Sequence, residues 1–275
     1  MKMAVIGCGL IGGSMALSWK RAGIVDEVIA FGHNPATLQK ALDKGAADTV
    51  TTSMEEAVKD ADIVVSAVPV EAMESVFTEM APFLKSDAVV TDVGSTRQTV
   101  IAAARKGLGD KFHQYAPAHP IAGGEMPGVD YASADLFDEK VVISTPDEGM
   151  DPKVVTFIEE AWRKAGARVQ AMSPLQHDLT FASVSHLPHV LAYALVDMIA
   201  REENAQEKLK MAGAGFRDFT RIASSSPVMW RDICLSNREA LSHELKRYRA
   251  SLDTLQKYID ESDGKALESV FENAV

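Results

Sequence analysis

Several stretches of the sequence have the residue types and spacing to do chemistry. Gly7-Cys8-Gly9-Leu10-Ile11-Gly12, followed by Gly13-Ser14, lies between a short apolar run and an amphipathic stretch. Glycines so placed let the backbone turn tightly against a pyrophosphate, and the following helix offers free amides and its positive dipole end. About 20 residues on, NAD enzymes usually carry an acid for the ribose 2′-hydroxyl. Here the stretch is Phe31-Gly32-His33-Asn34, with Gly32 where the acid is expected. Losing that carboxylate removes repulsion against a 2′-phosphate, and His33 and Asn34 offer donors. NADP is therefore expected ahead of NAD, which stays as the alternative. The expected cofactor-binding set is Gly7, Gly9, Leu10, Ile11, Gly12, Gly32, His33, Asn34, Val68, Pro69 and Asp92.

Four further motifs stand out. Thr91-Asp92-Val93-Gly94-Ser95 closes an apolar run, and Ala118-His119-Pro120-Ile121-Ala122-Gly123-Gly124-Glu125 follows. Taken alone, His119 reads as a loop histidine more readily than as a base, although a neutral imidazole suits proton transfer near neutral pH. In Ser185-His186-Leu187-Pro188-His189 two histidines share a helix face. No third ligand is spaced to join them, so no metal site is expected. Phe216-Arg217-Asp218-Phe219-Thr220-Arg221-Ile222-Ala223 puts Asp218 and Arg221 at i, i+3, where they can pair. His177 reads as an ordinary polar residue, Arg217 and Arg231 as partners of helix-face carboxylates, and Trp230 as core.

The elements that must position these motifs alternate. Met3–Ile6, Val28–Phe31, Ile63–Val68, Ala88–Val93, Lys140–Ser144 and Ala167–Ala171 read as strands. Helical stretches lie between them at Gly12–Ala22, Pro35–Lys44 (with Asn34 as N-cap), Glu71–Met80, Thr96–Lys106 and Pro152–Ala165. Strands apolar on every residue suggest a sheet covered on both faces, and the alternation predicts a doubly wound α/β domain. After Ser173-Pro174 no strand is evident. His177–Ala200 reads as one apolar helix kinked at Pro188. Ser226-Pro227 reads as a helix start, and Ser236-Asn237-Arg238-Glu239 as a capping box. The stripe Leu241, Leu245, Tyr248, Leu252, Leu255, Ile259 fits a core face and a subunit interface equally. The expected division is a dinucleotide-binding domain over residues 1–172 and an all-α domain over 173–275.

Composition narrows the function. The 275 residues carry 28 Lys and Arg against 39 Asp and Glu, a net charge of −11. An acidic surface disfavours nucleic acid and anionic membranes. The two cysteines, Cys8 and Cys234, cannot build a disulfide framework. With no signal-peptide pattern and no uninterrupted membrane-spanning apolar run, the expectation is a soluble, cytoplasmic protein.

Together, the glycine-rich turn, Thr91–Ser95, Ala118–Glu125, Ser185–His189 and Phe216–Ala223 with Pro227-Val228-Met229-Trp230-Arg231-Asp232 resemble the prephenate/arogenate dehydrogenase family. The likeness spans nearly the whole chain in the right order. It implies oxidative decarboxylation in tyrosine biosynthesis, a Rossmann-type domain followed by a helical dimerisation domain, and a homodimer. It implies that His119 takes the proton of the ring C4 hydroxyl as hydride leaves C4 for the nicotinamide, with Ser95 hydrogen-bonding nearby. Arg221 would grip a substrate carboxylate, His189 face the substrate side chain, and Glu125, Asp218 and Gly124 line the pocket. Gly124, Met126 and Ser226 replace the threonine, lysine and aspartate common in relatives, which bears on substrate preference and on feedback inhibition by tyrosine. Two other classes compete. A β-hydroxyacid dehydrogenase or imine reductase would share the layout, but its usual lysine is missing from His177–Ala200. A non-catalytic dinucleotide sensor would leave His119, Ser95 and Arg221 unexplained.

Overall fold

The computed structural model describes residues 1–124 and 126–275. Eight strands form one sheet: β1 (Lys2–Ile6), β2 (Glu27–Phe31), β3 (Thr49–Thr51), β4 (Ile63–Ser66), β5 (Val89–Asp92), β6 (Tyr115–Pro120), β7 (Val141–Ser144) and β8 (Arg168–Ala171). Their spatial order is β3-β2-β1-β4-β5-β6-β7-β8, with only the β6–β7 pair antiparallel. β1 and β4 are adjacent although β2 and β3 intervene in sequence, so the order reverses between them. That switch point opens a crevice at the strands' carboxyl ends, where open α/β sheets bind ligands. The continuous apolar runs explain the centre: Ile63, Val64 and Val65 are wholly buried, as are Met3 to Ile6.

Two strands escape the sequence pattern. β3 is a three-residue edge strand. β6 reads Tyr-Ala-Pro-Ala-His-Pro, and its two prolines argue against any interior strand. The structure accommodates them by changing partner midway. Residues 115–117 pair in parallel with β5, and residues 118–120 pair antiparallel with β7. Pro117 ends the first ladder, and Pro120 faces Val142 in the second, which the Ile121 amide continues by donating to the Val141 carbonyl oxygen at 2.8 Å. His119 sits on the second half.

A buried ion pair fixes this corner. The Arg97 guanidinium is bidentate on Asp92, donating from Nη2 to Oδ1 at 2.6 Å and from Nη1 to Oδ2 at 3.2 Å. It also donates to the carbonyl oxygens of Thr96 (2.8 Å) and Ala118 (3.4 Å). The Tyr115 hydroxyl donates to Asp92 Oδ2, and the Gly94 amide to Oδ1 at 2.7 Å. Arg97, Asp92 and Tyr115 are fully buried. Asp92 thus departs from its expected place in the cofactor set: both oxygens are committed inside the sheet.

From Pro174 onward the described residues are helical and bear out the all-α reading of the second half. Pro174–Ala200 is one continuous 27-residue helix, starting earlier than expected. Pro188 does not break it. A π-helical segment at Ala182–His186 widens the turn ahead of the proline, relieving the clash its ring makes with the preceding turn. By length and composition this helix could cross a membrane, although polar residues interrupt its apolar run. Its His177, Asp178 and His186 are instead buried among partners in the same chain. The expected capping box does not form. Ser236 ends the Pro227–Ser236 helix and hydrogen-bonds Thr96 (2.8 Å) and Thr99 across to the first half. Ser226 does cap that helix, accepting from the Met229 amide at 3.4 Å. The Leu241–Ile259 stripe is split: Leu241 is buried, whereas Leu252 and Ile259 are exposed.

Arg97→Met would strand the Asp92 carboxylate in the sheet, at a cost of about 3–5 kcal/mol. Denaturant titration of the variant should show that loss. A midpoint within error of the parent would mean the pair does not hold the β5–β6 corner.

Candidate active site

The glycine-rich turn has the shape of a dinucleotide cradle. Gly7 has φ of +91°, and a Cβ there would lie 2.7 Å from the Ala67 carbonyl oxygen. A Cβ on Gly12 would come within 2.5 Å of Gly7 O. Both glycines are demanded by the turn itself. Gly9 is different: a Cβ there would meet no atom within 4 Å, so protein packing does not require glycine. Its bareness leaves room for a ligand at the N-terminus of the Leu10–Arg21 helix, which has no side-chain cap. Leu10 and Ile11 are half-buried in the first turn of that helix, and Val68 packs against Gly7. Pro69 is exposed just beyond β4. The residues present fit a nicotinamide dinucleotide.

At the end of β2, His33 and Asn34 are exposed, and His33 packs edge-on against Phe31 with ring centroids 5.2 Å apart. The Asn34 oxygen caps the Pro35–Asp43 helix, accepting from the amides of Ala36 (2.9 Å) and Thr37 (3.4 Å). Its NH2 group is thereby turned outward as a donor. A Cβ on Gly32 would meet only the end of the Leu38 side chain, at 3.3 Å.

His119 heads a chain of hydrogen bonds. Its Nδ1 lies 2.8 Å from His177 Nε2, and His177 Nδ1 lies 2.9 Å from Asp178 Oδ1. The donors follow from chemistry. A carboxylate only accepts, so His177 donates from Nδ1. Neutral His177 is then an acceptor at Nε2, so His119 donates from its own Nδ1. That leaves the His119 Nε2 lone pair as the group that can take a proton. Burial would raise the Asp178 pKa. The hydrogen bonds from His177 and from the amides of Gln98 (2.9 Å) and Arg97 (2.8 Å) outweigh it and hold the carboxyl below the usual range. Burial pushes the His119 pKa well below 6.5, and the fields of His177, Arg97 and His186 push the same way. His119 is therefore neutral at pH 7. Phe181 packs against both imidazoles.

His177 was expected to be an ordinary polar residue, and instead it is fully buried between His119 and Asp178. Its adjacency to an aspartate just after the second half begins is the only trace of this in the sequence. Asn237 adds a second clamp. Its Nδ2 donates to Asp178 O at 2.8 Å and to His186 Nδ1 at 3.1 Å. Burial lowers the His186 pKa to about 4, so this imidazole also stays neutral.

His189 donates from Nδ1 to the Ser185 carbonyl at 2.9 Å, leaving Nε2 as an acceptor. Its ring lies on Trp230, with centroids 3.6 Å apart and planes 19° from parallel. Trp230 is core as expected, and a stacking platform as well. Burial lowers the His189 pKa, and Arg221 is close enough for its charge to lower it further. Arg221 opens a short 3-10 turn, Arg221–Ser224, and is exposed there, as is Asp218 one turn earlier. Arg217 donates to the Ala212 carbonyl rather than to a carboxylate, whereas Arg231 does pair with Asp232 at 2.6 Å. Ser95 is half-buried on the loop from β5, tied to β6 through Arg97. Gly124 is exposed, and a Cβ there would lie 3.3 Å from Leu10, so the loop after β6 meets the glycine-rich turn. Glu125 lies outside the described residues. Among the described residues no cluster has the makings of a metal site.

The lowered His119 pKa has a direct kinetic consequence. A base with a depressed pKa keeps its lone pair as pH falls through 6.5, so kcat/KM should stay level there and decline only at lower pH. An acid limb centred at or above pH 6.5 in a pH–rate profile would contradict the assignment.

Comparison with known proteins places this geometry. The family model for the prephenate dehydrogenase nucleotide-binding domain matches residues 15–171, and that for the prephenate dehydrogenase dimerization domain matches residues 173–273. The chain is 37% identical over 267 residues to the cyclohexadienyl dehydrogenase of Zymomonas mobilis subsp. mobilis, covering 96% of this chain and 90% of that one. The crystal structure of prephenate dehydrogenase from Aquifex aeolicus, in complex with hydroxyphenyl propionate and NAD+, superposes with a TM-score of 0.92 at 35% identity, covering 100% and 96% of the two chains. Synechocystis arogenate dehydrogenase superposes at 0.82 with 27% identity, covering 99% and 97%. The chain belongs to the prephenate dehydrogenase family, with a nicotinamide dinucleotide as cofactor.

Proposed function

We propose that this enzyme carries out NADP-preferring oxidative decarboxylation of prephenate, arogenate or both, as a cytoplasmic homodimer in tyrosine biosynthesis. Residues 1–172 bind the cofactor, and residues 173–275 supply substrate contacts and the dimer face. The observation that carries the reading is the His119–His177–Asp178 chain, which ends in an unprotonated Nε2. A bound nicotinamide supplies the acceptor for the hydride that leaves ring C4. His119 Nε2 takes the proton of the C4 hydroxyl, and the C4–O bond becomes a carbonyl. The bond from C1 to the ring carboxylate then breaks. Its electron pair enters the ring, carbon dioxide departs, and an aromatic phenolate forms. His119 returns the proton to that phenolate, so the base is restored. Ser95 hydrogen-bonds the C4 hydroxyl, Arg221 binds a carboxylate through two parallel bonds, and His189 faces the side chain. Asp218 and Gly124, both exposed, are assigned to the substrate pocket, and the family resemblance gives Glu125 the same role. Dimerisation is supported by the uncovered apolar residues Val184, Met198, Leu252 and Ile259 on the helical half.

Reduced-nicotinamide absorbance over prephenate and arogenate, each with NADP and NAD, tests the reading directly. Turnover should appear, fastest with NADP, and His119→Asn should lower kcat by about two to four orders of magnitude while cofactor binding is kept. Unchanged turnover in that variant would remove His119 from its role.

NADP preference is supported by the missing acid at Gly32 and the donors beside it. Gly32→Asp would face a 2′-phosphate with a carboxylate, so the NADP KM should rise by about tenfold or more while NAD is used at least as well. An unchanged NADP/NAD ratio would mean the phosphate is not read at this strand end.

A further inference from the structure

Tyr193 lies four residues beyond His189 on the Leu187–Ala200 helix, so both side chains share a face. Its hydroxyl donates to the Ser225 carbonyl oxygen at 2.6 Å. Ser225 closes the turn that carries Arg221: its amide donates to Ile222 O at 3.3 Å, and the Ser224 hydroxyl donates to Arg221 O at 2.7 Å. The next residue, Ser226, caps the helix bearing Trp230, which stacks on His189. These contacts form a closed circuit. It runs along the helix from His189 to Tyr193, across one hydrogen bond to Ser225, through the capped turn to Trp230, and back by ring stacking to His189. Arg221 is exposed and long-stemmed, and the turn beneath it sets where its stem begins.

We propose that Tyr193 is a positioning residue for substrate recognition, its hydroxyl pinning the Arg221 turn to the helix that carries His189 and so setting the span between those two groups. The proposal rests on the reading of Arg221 as the group that binds a substrate carboxylate. Tyr193 acts through Arg221 rather than on the reacting atoms. An interaction made equally before and during the reaction changes KM and leaves kcat alone. Phenylalanine keeps the ring and removes only the hydrogen bond, which limits the disturbance to the turn.

The test is a double-mutant cycle of Tyr193→Phe and Arg221→Ala, read by steady-state kinetics with prephenate and arogenate at saturating cofactor. Tyr193→Phe should raise substrate KM about two- to tenfold, the worth of one neutral hydrogen bond, with kcat within about twofold. In the Arg221→Ala background the same substitution should add nothing. Amide hydrogen exchange over residues 221–226 should quicken in Tyr193→Phe. If Arg221→Ala raises KM and the two effects add, Tyr193 does not work through Arg221 and the proposal fails alone. Unchanged exchange over 221–226 likewise overturns it. If Arg221→Ala leaves KM unchanged, the carboxylate-binding role of Arg221 fails first and takes this proposal with it.

Discussion

The Asp178 carboxylate is the contact on which the site depends. It belongs to the long helix of the second half, yet it accepts from the Arg97 and Gln98 amides at the start of the Gln98–Leu108 helix in the first half. No side chain of that helix's own caps it, so Asp178 serves as the cap from outside. The same carboxylate fixes His177, and through it the tautomer of His119. One acidic group thus joins the two halves and leaves the lone pair on the nitrogen of His119 that faces away from the relay. Moving the halves apart would cost the helix its cap and the base its orientation together.

The surroundings of this contact explain why it holds. Arg97 donates its amide to Asp178 and its guanidinium to Asp92 and Ala118, so the strand bearing His119 and the helix capped by Asp178 share an anchor. The positive guanidinium lies close enough to lower the pKa of both His119 and His177. Low dielectric, a fixed cation and an apolar Phe181 all disfavour a charged imidazole before substrate binds. A neutral base is obtained by environment and not by any feature of the histidine itself.

The sheet and the cofactor turn were legible because each rests on local pattern. Apolar runs such as Ile63–Val65 announce buried strands, and Gly7, Gly9 and Gly12 announce the turn. β6 was not legible: prolines at 117 and 120 forbid an ordinary strand, and only a change of partner between β5 and β7 admits them. The surroundings of Asp92 are hidden from the sequence for a related reason. A carboxylate at a strand's carboxyl end resembles a ligand group until Arg97, five residues on, is seen to fold back on it. His177 escaped because its meaning comes from His119, 58 residues earlier, and nothing in the spacing links them. The π-helical turn before Pro188 could not be read either, since it is the response of a continuous helix to a proline whose sequence signal is a kink.

The central claim is the tautomer of His119, and nitrogen NMR of histidine-labelled enzyme measures it most directly. With resonances assigned by single-histidine variants at pH 7.5, His119 should show a protonated Nδ1 and an unprotonated Nε2. His177 should show the same pattern. A proton on His119 Nε2, or a doubly protonated ring at that pH, would contradict the account, because no lone pair would then be available to take the substrate's proton.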